Sequence, residues 1–239
     1  MSQLPHEISS LLRGRHFNHT VIILCVRWYI TYKLSYRDLV EMMAERGVAV
    51  SHTTILRWVQ RFVPEFEKRW QRYAKPVGTS WRVDETYIKV RGRWTYLYRA
   101  VDKQGLTVDF LLSERRDIAA AKRFFSRAIR RHGAPKSITL DGYPATHTAI
   151  AELKRGGVLR PEAKVWTSKY LNNIIEQDHR RVKQRLYPML GFNGFRNATT
   201  AITGIELAQK IRKGQFDTSA VIVRAGANVR RVREAVLSA

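Results

Sequence analysis

The chain has 239 residues, 44% of them hydrophobic, and 43 Lys+Arg against 20 Asp+Glu leave a formal charge of +23. That length holds one medium domain plus a small one, and so positive a field attracts polyanions, because each phosphate contact releases a condensed counterion. The longest apolar run near the N-terminus, Val21 to Val26, is far shorter than the roughly 20 residues that span a bilayer. Residues 1–12 lack the pattern of a signal peptide, and the single Cys25 excludes an internal disulfide or a cysteine-based zinc finger, so a cytoplasmic protein is expected.

In chain order, Val21, Ile22, Cys25, Trp28, Tyr29 and Tyr32 recur at helical spacing, and a second helix opens with Ser35 as N-cap and Asp38 three residues on. Gly47 can end that helix. Ser51 caps a third, which holds Ile55, Trp58, Val59 and Phe62 and is expected to stop at Pro64. Three short helices with a glycine turn before the last read as a helix-turn-helix whose final helix enters the major groove. Its polar residues Ser51, His52, Thr53, Thr54, Arg57, Gln60 and Arg61 are the candidate DNA contacts.

A Lys-Pro-Val-Gly-Thr-Ser segment, Lys75 to Ser80, breaks the helical period and marks a boundary. Beyond it the spacing predicts strands over Arg82 to Val90, Trp94 to Val101 and Leu106 to Leu112, separated by turns at Arg91-Gly92 and Lys103-Gln104-Gly105. A helix from Asp117 to Arg131, a strand Ser137 to Leu140, a helix near Ala145 to Lys154 and a strand near Val165 follow. Two helices, Tyr170 to Leu186 and Ala198 to Lys213, complete the order. It is that of an α/β ribonuclease H-like catalytic domain with a mixed five-stranded sheet, preceded by the all-α domain. The expected division is 1–76, 77–215 and a basic C-terminal tail, 216–239, carrying Arg224, Arg230, Arg231 and Arg233.

Asp84 lies inside the first predicted strand, and Asp141 follows the fourth directly, 57 positions later; if those strands are neighbours, the two carboxylates meet. Glu176, on the long helix 35 positions further, can reach the same point. An aspartate inside an apolar strand calls for a reason, since burying an unpaired charge costs several kcal/mol. Strand alternation sends Glu85 and Asp84 to opposite faces, and spacing alone does not choose between them. Along the helix, Arg180 and Lys183 share the face of Glu176, either as an ordinary helix-surface pair or as cations turned to a DNA backbone.

Several stretches are similar to the transposases of the insertion sequence six family of bacteria. They are Gly14-Arg15-His16-Phe17, Val26-Arg27-Trp28-Tyr29, Leu34-Ser35-Tyr36-Arg37-Asp38-Leu39, Glu45-Arg46-Gly47-Val48, His52-Thr53-Thr54-Ile55 and Arg57-Trp58-Val59-Gln60-Arg61. Further on come Asp84-Glu85-Thr86-Tyr87, Trp94 through Asp102, Lys169-Tyr170-Leu171-Asn172-Asn173, Glu176-Gln177-Asp178-His179, Gly191-Phe192 and Arg212-Lys213-Gly214-Gln215.

The resemblance implies that Asp84, rather than Glu85, joins Asp141 and Glu176 as catalytic carboxylates holding two Mg²⁺ (or Mn²⁺) ions, with Lys183 the basic residue that follows the glutamate. It implies binding of double-stranded DNA, both the terminal inverted repeats and the target, transfer of 3′-OH ends, cointegrate formation, and a homodimer or larger assembly. Gly142-Tyr143-Pro144 stands where many members place lysine after the second aspartate, a subfamily variant. A DNA-binding repressor without chemistry and an integrase or structure-selective nuclease are the alternative readings.

Overall fold

The computed structural model describes residues 17–167, 173–189 and 191–219. The start-of-chain reading, Gly14-Arg15-His16, Lys169-Tyr170-Leu171-Asn172 and the tail cations Arg224, Arg230, Arg231 and Arg233 lie outside the described residues. Two compact units form: among the described residues, one takes in those up to Lys75, Arg185–Met189 and those from Arg196 on; the other takes in those from Pro76 to Gln184 and from Gly191 to Phe195. No helix among the described residues is long and apolar enough to cross a membrane.

In the first unit, helix α1 (His19–Thr31) is capped by the Asn18 side chain. Helix α2 (Tyr36–Ala44) opens with the expected reciprocal Ser35–Asp38 capping box, and Gly47 turns the chain out at φ +69°. Helix α3 (His52–Gln71) is capped by Ser51, whose side chain accepts from the Thr54 N–H. Ile22, Cys25, Val26, Leu39, Met43, Ile55, Val59 and Phe62 form the buried core.

Pro64 does not end α3; it sits inside a helix of 20 residues. A proline there costs about 3 kcal/mol through its missing N–H and the clash one turn back. The apolar stripe runs straight through, however, burying Phe62, Val63, Phe66 and Trp70, and that burial outweighs the lost bond.

By its contacts helix α7 (Phe195–Arg212) groups, from Arg196 on, with the first unit. A Cβ at Gly204 would strike the Ile30 side chain and lie 3.2 Å from Val63 Cγ1, and Arg212 Nη2 donates to the Thr31 carbonyl at 3.0 Å. Trp70 and Phe216 rings meet edge-on at 5.0 Å, and Arg185 Nε donates to the Tyr29 carbonyl at 2.7 Å.

In the second unit, β1 (Ser80–Val90), β2 (Arg93–Asp102) and β3 (Thr107–Ser113) form an antiparallel meander. The β1–β2 turn is two residues long, with Arg91 at φ 52° and Gly92 at φ 74°, the left-handed pair that a tight hairpin matched to strand twist demands. Helix α4 (Ile118–His132), capped by Asp117, leads to β4 (Ser137–Leu140), parallel to β1. Helix α5 (Pro144–Arg155) leads to β5 (Lys164–Thr167), parallel to β4, and helix α6 (Asn173–Leu186) follows.

The sheet order β3-β2-β1-β4-β5 is the ribonuclease H-like arrangement. Trp81, Val83, Tyr98 and Ala100 pack one sheet face against Phe124, Phe125 and Ala128 of α4 and Ala149, Ile150 and Leu153 of α5.

Candidate active site

Strand pairing fixes two carboxylates before any side chain is considered. β1 and β4 pair in parallel up to Arg82 opposite Thr139; Asp84 comes two residues further along β1 and Asp141 directly after the end of β4, so both follow the last paired residues by the same step.

Alternation then separates the two acids of β1. Trp81 and Val83 point into the α4/α5 core, and Glu85 follows them. Its side chain is 2% exposed, with Oε1 accepting from Thr146 Oγ1 at 2.9 Å and Oε2 from Arg116 Nε at 2.7 Å. Asp84 faces away from that core. Oδ1 accepts from the Glu85 N–H at 2.8 Å, and Oδ2 lies 3.4 Å from His179 Nδ1 on α6.

Burial pushes the Asp84 carboxyl up to about 6; the Glu85 N–H opposes this, and the charges of Asp141, Glu85 and Glu176 reinforce it. Asp84, Asp141 and Glu176 thus share one electrostatic neighbourhood. Glu176 and Arg180 are exposed on α6 and Lys183 is half-buried. Behind them Asp178 pairs with the buried Arg99 at 2.6 Å. Burial, with Arg99 and Lys183 nearby, depresses His179 to about 3, so it is neutral at ordinary pH and its contact with Asp84 is not an ion pair. Its Nε2 is buried and without a hydrogen-bond partner.

Asp141 is held on two sides. Oδ1 accepts from the Tyr143 N–H at 3.3 Å and Oδ2 from Arg116 Nη2 at 3.4 Å, while its carbonyl meets His147 Nε2 at 2.9 Å. Arg116 lies 3.5 Å over the Tyr143 ring, and the Tyr143 hydroxyl donates to the Arg116 carbonyl at 3.0 Å. In this arrangement no three His, Cys, Asp or Glu side chains among the described residues have the geometry to hold a metal ion. The donor chemistry nonetheless suits a hard divalent cation: three carboxylates whose mutual repulsion a positive charge would relieve.

On α3, Ser51, His52, Thr53, Arg57 and Arg61 are exposed and Thr54 is half-buried. Ser51 Oγ lies 2.9 Å from both Thr53 and Thr54 hydroxyls, and Arg61 rests on the Phe62 ring. Gln60 is half-buried, with its amide nitrogen and oxygen both shut away from solvent without a hydrogen-bond partner. Arg116, Tyr143, Thr146 and His147 were not legible as site residues; Glu85 was flagged only by its place next to Asp84.

The profile of a family described as a DDE domain matches residues 78–215. The transposase of insertion sequence-like element IS431mec from Staphylococcus aureus is 41% identical over 201 residues, 84% of this chain and 88% of the relative. The transposase of IS257 in transposon Tn4003, also from Staphylococcus aureus, matches with the same identity and coverage. Among solved structures, the HTLV-2 integrase catalytic core domain in complex with magnesium aligns with a TM-score of 0.42 and 17% identity over 54% of this chain and 84% of that one. The BIV integrase core gives 0.42 and 18% over 56% and 85%.

The class is thereby defined: an enzyme, a polynucleotidyl transferase with a DDE domain. More particularly, the chain belongs to the insertion sequence six family of bacterial DDE transposases.

Proposed function

We propose that this transposase binds the terminal inverted repeats of its element through a helix-turn-helix made by α1 to α3, with Ser51, His52, Thr53, Thr54, Arg57 and Arg61 on the DNA side. Asp84, Asp141 and Glu176 then hold divalent ions, two Mg²⁺ or Mn²⁺, for transfer of 3′-OH ends into target DNA and cointegrate formation. The ions would activate the attacking hydroxyl and steady the leaving oxygen of an in-line displacement. Arg180 and Lys183, on the Glu176 helix, contact phosphates. His179 backs Asp84 as a neutral group, leaving the acidic charge uncancelled for the cation. The acting species is a dimer or larger assembly that pairs two ends in the bacterial cytoplasm.

The observation that supports this reading most is the charge coupling of Asp84 to both Asp141 and Glu176, residues far apart in the chain. The Arg116–Asp141 contact favours a second reading, a DNA-binding repressor whose acidic cluster no longer closes. One experiment separates them: incubate the purified chain with labelled element ends, plasmid target and Mg²⁺. Labelled 3′ ends joined to plasmid support the transposase, cut ends alone indicate a nuclease, and a shifted complex with neither product indicates the repressor.

A further inference from the structure

The β1–β2 hairpin carries aromatic rings on a sheet face the helices leave bare. Cross-strand register pairs Glu85 with Tyr98, Tyr87 with Tyr96 and Lys89 with Trp94, all on the α4/α5 side of the sheet. Tyr98 is buried and stacks on Phe124 of α4. Beyond it the cover ends: Tyr96 is half-buried, while Tyr87 and Trp94 are 47% and 58% exposed. The rings brace one another, Tyr87 against Trp94 at 6.3 Å and against Tyr96 at 5.5 Å, so they are held at little further entropic cost.

One cation sits on them: Lys89 Nζ lies 5.1 Å over the Trp94 ring, while at the hairpin tip Arg93, opposite Val90, takes the other face and Arg91 Nε donates to the Asn193 carbonyl at 2.8 Å. The strip also runs into the acidic site, since Arg116 Nη1 donates to the Tyr87 hydroxyl at 3.3 Å and Nη2 reaches Asp141.

We infer that Tyr87, Trp94 and Tyr96, with Lys89, form a stacking platform for unpaired DNA bases, linked through Arg116 to Asp141 of the proposed strand-transfer site. Exposed rings edged by cations are what a single strand needs, ring faces for bases and charge for the backbone. An intact duplex hides its base faces and offers these rings nothing to stack on. A second copy of the chain is the poorer occupant, because an isologous contact across this face brings the two Lys89 ammonium groups together. The platform lets a few nucleotides beside the reacting phosphate leave the helix. It deepens the transposase reading and rests on it for its purpose, but its binding step needs no metal and no chemistry.

The test uses the full chain in EDTA with a fluorescein-labelled 12-nucleotide single strand and the matching duplex. Trp94→Ala and Tyr87→Ala are each expected to weaken single-strand binding about tenfold, with duplex binding altered less than about twofold. Trp94→Tyr, which keeps a ring, restores most of the affinity, and far-UV circular dichroism checks the fold of each variant. Equal loss on single strand and duplex, no loss on either, or a drop in molecular mass by light scattering in Trp94→Ala would each overturn the platform. Because this binding is read in EDTA, failure to join labelled ends in Mg²⁺ and loss of stacking here are separate results.

Discussion

Asp141 follows Asp84 by 57 positions, and the parallel pairing of β1 with β4 carries the same offset, Thr139 opposite Arg82. The spacing therefore matches the register: backbone pairing up to Arg82 and Thr139 brings the chain to both carboxylates two residues further on, and the intervening β2, β3 and α4 close the loop. A one-residue slip would send one of them to the other face.

In EDTA, Asp84 weakens the fold once it is charged. Its carboxyl is raised to about 6 in the folded protein against 3.8 for the free group, so the native state holds the proton more tightly than the unfolded chain. The penalty is absent below pH 4, grows as pH rises to 6 and is constant above it. Asp84→Asn is expected to gain about 1–2 kcal/mol at pH 7.5 and nothing at pH 4, read from urea unfolding at both pH values. Equal effects at the two pH values would contradict the assignment.

Arg116 neutralises Glu85, whose side chain is 2% exposed. Arg116→Met strands that charge with only Thr146 as partner and is expected to cost about 3 kcal/mol. Adding Glu85→Gln should recover most of it, and a double-mutant cycle in urea measures the coupling. Additive losses would mean that the pair is not coupled.

Gly204 marks where α7 meets Ile30 and Val63. Helix propensity favours alanine by about 1 kcal/mol, but the added methyl overpacks the contact at a cost of about 1–3 kcal/mol. Gly204→Ala is expected to lower Tm, and Ile30→Ala in the same chain to lessen the loss. A raised Tm in the single variant would show that the contact is loose.

Arg57 and Arg61 are exposed on α3. If each meets one phosphate, replacing either by alanine lowers the slope of log affinity against log salt by about 1 on element-end duplex. An unchanged slope would move the DNA-binding face elsewhere.

Much of this was legible in the sequence because its signals are local. The Ser35–Asp38 box, Gly47, Ser51 and Asp117 set helix ends through bonds to neighbours a few residues away, and Arg91-Gly92 specifies its hairpin by backbone sterics. Pro64 misled because a propensity rule ignores the apolar stripe that carries α3 past it. The grouping of α7 with the N-terminal helices, the Arg116 clasp on Glu85 and Asp141 and the His179 contact with Asp84 join residues whose separation has no period. They become visible only once the chain is folded.

The central claim, that Asp84, Asp141 and Glu176 converge on divalent cations, is tested most directly by calorimetric titration of Mn²⁺ into the purified chain and into Asp84→Asn, Asp141→Asn and Glu176→Gln. The account predicts saturable binding by the wild type that each single substitution abolishes or weakens at least about tenfold, because a ligand is lost from a shared cage. Equal Mn²⁺ binding by all four proteins, or none by the wild type, would contradict it.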